Sequence, residues 1–436
     1  MQPPDTELRL LLLTSSYWPE HSPPQRRWTS LITTLCDQGW AVSVVAPVAH
    51  YGPGPDYNSD TKGHAWRVQH GFLGERIYRV PHLLLGDNRI FKLANQVIGA
   101  AGSVLRGVAT GRQDAVVVTA PSLPLLGSAL LVARFKGLPL VVEMRDAWPN
   151  LAEDASLVRG GSKSVINNAV EYVQNRADLV VTVTEGFART LRERGVANVV
   201  TVRNGILMDR TPHLAAPPFD RERLEVLYLG NHGESQALDV LIRAAALVGE
   251  DMRLTFVGHG SQKPALRRLA MDLGVNVRFL PPEYREAVFE RYREADSLVI
   301  SLRDDWKSFE DTIPSKTYEV LAIGRHITGI VRGEAANVLT EAGEGDIVGC
   351  KPQEIADLWR GLVADRGRLQ PAGSGRAWVQ HNAEYSDLAC QYSELLRETI
   401  HEHRTHPPQS LGRRIARVGR AAVKVARNAR SVRRSA

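Results

Sequence analysis

The sequence predicts an α/β protein made of two doubly wound parallel sheets that follow one another along the chain. Its 436 residues exceed one ordinary domain and are enough for two cores. Short apolar, β-rich runs alternate with amphipathic segments, and this alternation starts again near residue 224. Between the two cycles, Pro212 and the Ala-Ala-Pro-Pro run at 215–218 indicate a linker over 204–220. Two similar domains predict a cleft between them.

The first cycle contains several runs that are apolar enough to be buried on both faces of a sheet. The predicted strands cover 8–14, 41–46, 76–80, 115–119, 138–143, 179–184 and 198–202. Amphipathic segments predict helices over 25–38, 88–108, 123–135 and 186–194. Strands that alternate with helices in this way are typical of a parallel sheet covered on both faces.

The second cycle repeats the pattern. Its predicted strands are 224–230, 253–258, 275–280, 297–301, 326–331 and 346–348. Its predicted helices are 236–248, 264–273, 285–295 and 316–323, and a further helix covers 383–401. The sequence therefore predicts a second sheet of the same class.

Composition narrows the class of protein and its compartment. The three cysteines are far apart and lack metal-ligand spacing, which argues against a disulfide framework and a zinc site. The apolar run 10–13 is too short for a secretory leader, and no window approaches the ~18 apolar residues of a spanning helix. We expect a cytoplasmic protein whose membrane contact, if any, is peripheral.

The net charge of +6 is concentrated at the C-terminus, where residues 411–436 hold nine cations and no acid. Apolar residues recur there at steps of three and four, which predicts a basic amphipathic helix. A solvated arm, a nucleic-acid arm and an anchor on anionic lipid are the three alternatives. Because the segment has no aromatic residue to stack on bases, we favour the membrane surface and expect no nucleic-acid partner.

The segment 311–324 carries the strongest functional signal. Asp311 and Glu319 flank seven residues, and Ser315 and Lys316 stand where an apolar helix begins. Free amides at a helix N-terminus favour a phosphate, Lys316 adds a cation, and Glu319 can accept hydrogen bonds from ribose hydroxyls. The alternative is a surface helix capped by Ser315, which needs no ligand.

This acid-x7-acid pattern resembles the donor site of GT-B glycosyltransferases of family 4, and the resemblance covers roughly residues 8–400. It implies two Rossmann-like domains: 1–205 on the acceptor side and 206–382 for the nucleotide sugar. It also implies that a helix within 383–406 crosses back to the first domain, followed by the basic tail 407–436. The co-substrate is a nucleotide sugar, and no cofactor or metal is expected.

A second motif, Glu143 to Pro149, follows a predicted strand and resembles the family branch that contains N-acetylfucosamine transferases of polysaccharide assembly. A carboxylate at the end of a parallel strand lies where open sheets bind ligands. We expect Asp146 to orient the acceptor or the sugar, and Arg145 and Trp148 to contact the acceptor or a phosphate. A buried structural Arg-Asp pair is the alternative.

Two glycine turns resemble family motifs near the nucleotide. The first contains Gly230, Asn231, His232 and Gly233, and the second contains Gly258. Their glycines permit close approach of a diphosphate to the backbone. Many relatives place an arginine and a lysine just after the strand that precedes the first turn, where this chain reads Asn231 to Ala237 with neither cation. We therefore expect Lys316 to neutralise the diphosphate.

The loop after the first strand resembles a glycine-rich family loop, but prolines replace the glycines and remove amide donors. Arg26 and Arg27, in the helix that follows, are the cations that could contact phosphate there, beside Arg145.

Together these features predict a retaining glycosyltransferase with Asp146, Lys316 and Asp311 as catalytic residues. We expect it to move a sugar from a nucleotide diphosphate donor to a polyprenyl-linked or saccharide acceptor in cell-surface polysaccharide synthesis. The predicted nucleotide is UDP. The expected location is the inner face of the plasma membrane. A GT-B nucleotide-sugar epimerase and a non-catalytic scaffold or nucleic-acid-binding protein are the alternatives.

Overall fold

A computed structural model describes residues 7–50, 58, 63–83, 89–120, 122–145 and 161–406. The chain divides into two compact units, Met1–Arg203 with Ser386–Ala436, and Asn204–Tyr385. Both are α/β units built on a parallel sheet, which confirms the predicted fold class.

The first unit contains an eight-stranded sheet in the order β3-β4-β2-β1-β5-β6-β7-β8. All neighbours are parallel except β3 and β4. The strands are β1 Leu8–Leu13, β2 Trp40–Pro47, β3 Val68–His70, β4 Arg76–Val80, β5 Ala115–Thr119, β6 Leu140–Met144, β7 Leu179–Thr182 and β8 Val199–Thr201. Every residue of β5, β6 and β7 is buried, as expected for central strands covered on both faces.

In the described part of the first unit, the helices that precede the second sheet are α1 Pro23–Asp37, α2 Arg89–Ala109, α3 Leu123–Lys136, α4 Gly161–Gln174 and α5 Glu185–Glu193. The start of α1 explains the prolines of the preceding loop. Pro23 and Pro24 occupy the first helical positions, where a backbone N–H is not needed, and the Ser22 side chain caps the Gln25 amide at 3.3 Å.

The second unit contains a six-stranded sheet in the order β11-β10-β9-β12-β13-β14, with all neighbours parallel. Its strands are β9 Leu224–Leu229, β10 Met252–Val257, β11 Val277–Leu280, β12 Ser297–Ser301, β13 His326–Ile330 and β14 Asp346–Ile347. Its helices are α6 Leu238–Val248, α7 Lys263–Asp272, α8 Glu286–Glu294, α9 Lys316–Ile323, α10 Gly333–Ala342, α11 Pro352–Ala364 and α12 Ser374–Asn382.

The last helix that the structure describes, α13 Tyr385–Thr405, packs on the first unit. The Tyr392 and Trp28 rings pack edge-to-face with their centroids 5.5 Å apart, and the Trp40 indole donates to the Ser393 hydroxyl at 2.9 Å. At the other end of α13, Arg404 pairs with Asp114. Within the described ranges, no helix combines the length and hydropathy needed to cross a bilayer.

Most predicted elements are confirmed. Among the strands and α-helices of the described residues, β3, α4, α10, α11 and α12 lie outside the prediction. Helix α11 had a usable signal, because Ile355, Leu358, Trp359 and Leu362 follow helical spacing and are buried. The short antiparallel edge strand β3 has an exposed, intermediate, exposed pattern and carries no apolar alternation.

Candidate active site

The topology of the second sheet selects one place for a ligand. From β9 the chain continues to β10 and β11 on one side, whereas β12, β13 and β14 lie on the other side. The strand order therefore reverses between β9 and β12. Open parallel sheets bind ligands beyond the carboxyl ends of the strands at such a switch point. The loops 230–237 and 302–315 start there.

The two predicted glycine turns of this edge interlock. The Gly230 amide donates to the Val257 carbonyl at 3.0 Å, and the His232 amide donates to the His259 carbonyl at 2.8 Å. A Cβ on Gly258, whose φ is +140°, would lie 2.0 Å from the Gly230 oxygen. Glycine is therefore required at 258 by the approach of another loop of the same unit.

The same contacts limit what the first turn can offer to a diphosphate. The His232 amide is used as described, and the Gly233 amide donates to the Gln236 side chain at 3.1 Å. Together with the Gly230 amide, three amides of this turn are thus engaged inside the unit.

His232 also differs from its prediction as a donor-binding residue. Its side chain is fully buried and packs against Phe256 and Tyr228, with ring centroids 5.7 and 6.1 Å away. Burial lowers its pKa to about 4, and the nearby positive charge of Lys263 acts in the same direction. The structure therefore places the neutral imidazole in the interior, against two aromatic rings.

Lys263 supports the edge of the sheet and was missed by sequence reasoning. Its ammonium group donates to the carbonyls of Gly258 and Leu280, both at 2.6 Å. These carbonyls lie at the carboxyl ends of two neighbouring strands. Burial lowers the Lys263 pKa. A lysine at the first position of α7, directly before Pro264, was the available sequence signal.

Helix α9 begins at the same edge and holds the most developed cluster of polar groups. The Lys316 ammonium lies 2.8 Å from Glu319 Oε1 and 3.2 Å from the Tyr292 hydroxyl. The Tyr292 hydroxyl in turn donates to Glu319 Oε1 at 2.8 Å. Tyr292 comes from α8 and is buried, so it fixes the carboxylate from a second element. Sequence reasoning did not find Tyr292.

The alternative in which α9 is a capped surface helix is wrong. Residues 317–323 of the helix are all buried, and the Ser315 side chain makes no capping hydrogen bond. Asp311 ends a short 3₁₀ turn over Lys307–Asp311 and is partly exposed. Gly333 lets this turn approach α10, since a Cβ there would lie 2.1 Å from the Glu310 oxygen.

In the first unit, Arg27 lies in the interior instead of facing a ligand. Its Nε donates to Glu143 Oε2 at 3.0 Å, and both side chains are almost fully buried. Its other nitrogens donate to the carbonyls of Val202 and Arg203, at 3.0 and 2.6 Å. The predicted phosphate contact of Arg27 is therefore replaced by a structural ion pair. The Trp28 indole completes it by donating to Glu143 Oε1 at 3.0 Å.

The remaining first-unit candidates are placed differently. Arg26 is exposed on α1, and Arg145 follows β6 directly. Asp146 and Trp148 lie outside the described residues. In the motif 143–149, it is the first residue, Glu143, that the structure shows in a buried ion pair, and its partner is Arg27.

A polar cluster at the carboxyl ends of β1, β2 and β4 was also missed. The buried Glu20 carboxylate accepts from the Ser16 hydroxyl and from the His50 amide, the latter at 2.6 Å. His50 stacks on His82 with centroids 3.6 Å apart, and burial lowers the His82 pKa to about 4. Among the residues that the structure describes, no group of three or more acids, histidines or cysteines is arranged to hold a metal ion.

Comparison with known proteins identifies the family to which this architecture belongs. A family model described as a glycosyl transferase 4-like domain matches residues 24–205, and one described as glycosyl transferases group 1 matches residues 209–374. The chain belongs to the GT-B glycosyltransferases of family 4. The two matches meet where the chain passes from the first unit to the second.

Relatives in sequence agree with this family. The glycosyl transferase WcaI of Escherichia coli (strain K12), named for colanic acid biosynthesis, is 24% identical over 91% of this chain and 100% of its own length. A D-inositol 3-phosphate glycosyltransferase of Nocardia farcinica is 31% identical over 40% of this chain and 41% of its own.

Solved structures show the same fold. Sucrose-phosphate synthase of Thermosynechococcus elongatus has a TM-score of 0.71 at 16% identity and covers 90% of this chain and 98% of its own. Anabaena HepE in complex with UDP-glucose has a TM-score of 0.64 at 16% identity and covers 90% of this chain and 100% of its own. At these identities the likeness concerns the fold alone.

Proposed function

We propose that this glycosyltransferase transfers a sugar, with retention of configuration, from a UDP-sugar to a lipid-linked acceptor in polysaccharide synthesis. The observation that carries the proposal is the cluster of Lys316, Glu319 and Tyr292 at the start of α9, at the switch point of the second sheet. The name of WcaI supports the polysaccharide assignment, and the binding of UDP-glucose by HepE supports a UDP-sugar.

Each member of the cluster has a distinct role in the proposal. The N-terminal amides of α9 and the Lys316 ammonium stabilise the negative charge that develops on the leaving diphosphate. Glu319 accepts hydrogen bonds from ribose hydroxyls, since a carboxylate has two acceptor oxygens. Tyr292 holds the carboxylate in one orientation, which reduces the ordering cost of donor binding. Asp146 positions the acceptor, and Asp311 contacts the donor sugar.

The donor site is tested by calorimetric titration of UDP, GDP and their common sugars into the wild type and Glu319→Ala. We expect one nucleotide to bind selectively and to lose about 10-fold or more in affinity in the variant. Glu354→Ala is a matched control, because Lys351 and Glu354 form the same i,i+3 pair at the start of α11, at 2.7 Å and exposed to solvent.

Equal binding by wild type and Glu319→Ala would remove the proposed role of that carboxylate. Failure of the wild type to bind any nucleotide or nucleotide sugar would contradict a glycosyl donor site. Retention is tested separately, by the anomeric configuration of the product in an NMR assay with a polyprenyl diphosphate-linked sugar as acceptor.

The lipid-linked acceptor in this proposal is supported by an apolar surface on the first unit. On α2, Leu93, Val97 and Leu105 are 59%, 51% and 64% exposed, and Phe135 near the end of α3 is 79% exposed. The two helices pack against each other. Together with the basic segment 411–436, this surface provides two modest contacts that add through effective concentration.

Liposome sedimentation tests the membrane contact. We expect the full chain to sediment with vesicles that contain anionic lipid and to be released by high salt, because most of the attraction is electrostatic. Deletion of residues 411–436 should reduce recovery, and unchanged recovery would discard the role of the tail. Leu93→Ser with Val97→Ser in the full chain tests the α2 surface separately.

A further inference from the structure

The proposed donor site requires a second cation, and the sequence does not place one on the loop after β9. A nucleotide diphosphate carries several negative charges, whereas the loop contains Glu234 and no lysine or arginine over 230–237. In addition, the Lys316 ammonium already interacts with the Glu319 carboxylate at 2.8 Å. Charge neutralisation at this edge must therefore come from another element.

Arg303 reaches this loop from the opposite side of the switch point. It lies two residues after β12, and its amide donates to the Ser235 carbonyl at 3.0 Å. The Ser301 hydroxyl adds a bond to the Gln236 carbonyl at 2.7 Å. These contacts join the two loops at the place where the strand order reverses. The backbone of Arg303 is thus held beside Ser235, in the second half of the loop after β9.

The two carboxylates that hold Arg303 do so differently. Asp305 accepts from Nε and Nη2 at 2.8 and 2.7 Å, which is a bidentate pair. Glu234 accepts from Nη1 alone, at 3.2 Å. The guanidinium also lies over the Trp306 ring, 5.2 Å from its centroid. Asp305 and Trp306 therefore orient the group, and Glu234 is the partner that is easiest to exchange.

Exposure is consistent with an exchangeable partner. The Arg303 side chain is 28% exposed, and the Glu234 side chain is 60% exposed. An ion pair at this exposure contributes little to stability, at most about 1 kcal/mol. A diphosphate, by contrast, offers more charge and several acceptor oxygens to the planar guanidinium fork.

We propose that Arg303 is the second diphosphate-binding cation of this site, beside Lys316, and that Glu234 occupies its Nη1 edge until the diphosphate of the donor replaces it. The inference rests on the proposed function, since it assigns part of the diphosphate subsite of that donor. It makes Arg303 a residue that distinguishes a nucleoside diphosphate from its nucleoside, and it makes Glu234 a competitor of the substrate.

Calorimetric titration of the full chain with UDP and with uridine tests the assignment, with GDP and guanosine as the second pair. Arg303→Gln should lose about 10- to 100-fold in affinity for the diphosphate and less than about 2-fold for the nucleoside. Glu234→Gln should gain affinity for the diphosphate by about 3-fold or more. Arg332→Gln, which removes an exposed partner of Asp304 at 3.3 Å, is the control and should change neither.

Two results overturn the inference. In the first, Arg303→Gln binds the diphosphate like the wild type while Glu319→Ala loses binding. In the second, Arg303→Gln loses affinity for diphosphate and nucleoside equally. A wild type that binds none of the four ligands overturns the proposed function as well. If Arg303→Gln fails to fold, the titration of Glu234→Gln tests the inference by itself. Unchanged diphosphate affinity in that variant would show that Glu234 does not compete with the diphosphate for Arg303.

Discussion

At the scale of single residues, the proposed donor site contains a carboxylate that is held by partners within the protein. Glu319 is buried and accepts from Tyr292 and Lys316, which lie on different elements. A buried carboxylate without such partners would be costly, so these contacts both stabilise it and set its direction. The role of Tyr292 can be separated from that of Glu319 by substitution.

Tyr292→Phe removes one hydrogen bond to Glu319 and keeps the ring. We expect the free energy of unfolding to fall by about 1 kcal/mol, because the Glu319 oxygen loses a buried partner. Donor affinity should fall less than in Glu319→Ala, since the carboxylate is still present. Urea unfolding and calorimetry measure the two effects. Tyr284→Phe, on the neighbouring loop 281–285, is the control at a tyrosine outside the cluster. Equal losses of stability and donor affinity in the two variants would show that the effect of Tyr292→Phe does not depend on Glu319.

His232 gives a pH dependence of known sign. Its pKa in the folded chain is about 4 and that of an unfolded histidine is about 6.5, so the unfolded chain binds the proton first as the pH falls. Its contribution is complete above pH 6.5 and is lost between pH 6.5 and 4. Lys263, His259 and Arg267 are the charged or titratable groups that act on it in the same direction as burial.

Accordingly, His232→Phe should lose less stability than the wild type when the pH is lowered from 7 to 4.5. We expect the two losses to differ by about 1–2 kcal/mol. Urea denaturation at a series of pH values measures it. The two proteins are compared by the slope of unfolding free energy against pH, because the substitution also changes packing against Phe256 and so shifts the stability at every pH. Parallel pH profiles for the two proteins would show that this ring does not titrate as described.

At the scale of elements, the loops at the edge of the second sheet are defined by close backbone contact. Gly258 and Gly260 lie against the backbone of the loop after β9, and a Cβ on Gly260 would be 2.3 Å from the His232 oxygen. The Lys263 ammonium then binds the carbonyls at the ends of β10 and β11. Packing of backbone on backbone allows little room for adjustment, so the edge is rigid.

Gly258→Ala should therefore destabilise the chain by about 2 kcal/mol or more, because the new Cβ meets the Gly230 oxygen and the backbone φ is +140°. Gly127→Ala is the matched control. Gly127 lies inside α3 with nothing within 4 Å of the added Cβ, so alanine should stabilise by about 0.5–1 kcal/mol. Thermal unfolding measures both signs. A neutral effect of Gly258→Ala would mean that the loops can separate at little cost.

At the scale of the whole molecule, the first unit is completed by a helix that follows the second unit in the chain. Helix α13 buries Tyr392, Ser393, Leu396 and Ile400 on that unit. The chain enters and leaves the second unit side by side, because Ile206 exchanges hydrogen bonds with Ala383 and Tyr385 at 3.0 and 2.9 Å. The first unit therefore depends on residues that are made after the second.

A chain that ends at Tyr385 should lose the cooperative unfolding of the first unit, since Trp28 and Trp40 would lose their partners on α13. A chain that ends at His406 keeps α13 and should unfold like the full chain. Differential scanning calorimetry and tryptophan fluorescence compare the two. Normal unfolding of the first unit in the shorter chain would show that α13 is dispensable for it.

Much of this architecture could be predicted from the amino-acid sequence. Apolar runs identified the central strands because strands buried on both faces, such as β5 and β12, are apolar throughout most of their length. The start of α9 and the pair Lys316 and Glu319 were also predicted, since they lie within a single turn of helix. Local periodicity and local spacing carry this information.

The partners of these residues were decided by the tertiary structure. Tyr292 reaches Glu319 across 27 positions, Arg303 reaches Glu234 across 69, and Arg27 reaches Glu143 across 116. Arg27 and His232, both predicted to serve a ligand, lie in the interior for the same reason. Which loops meet depends on strand order, and strand order is set by packing of the whole sheet, which the periodicity of a single segment does not encode.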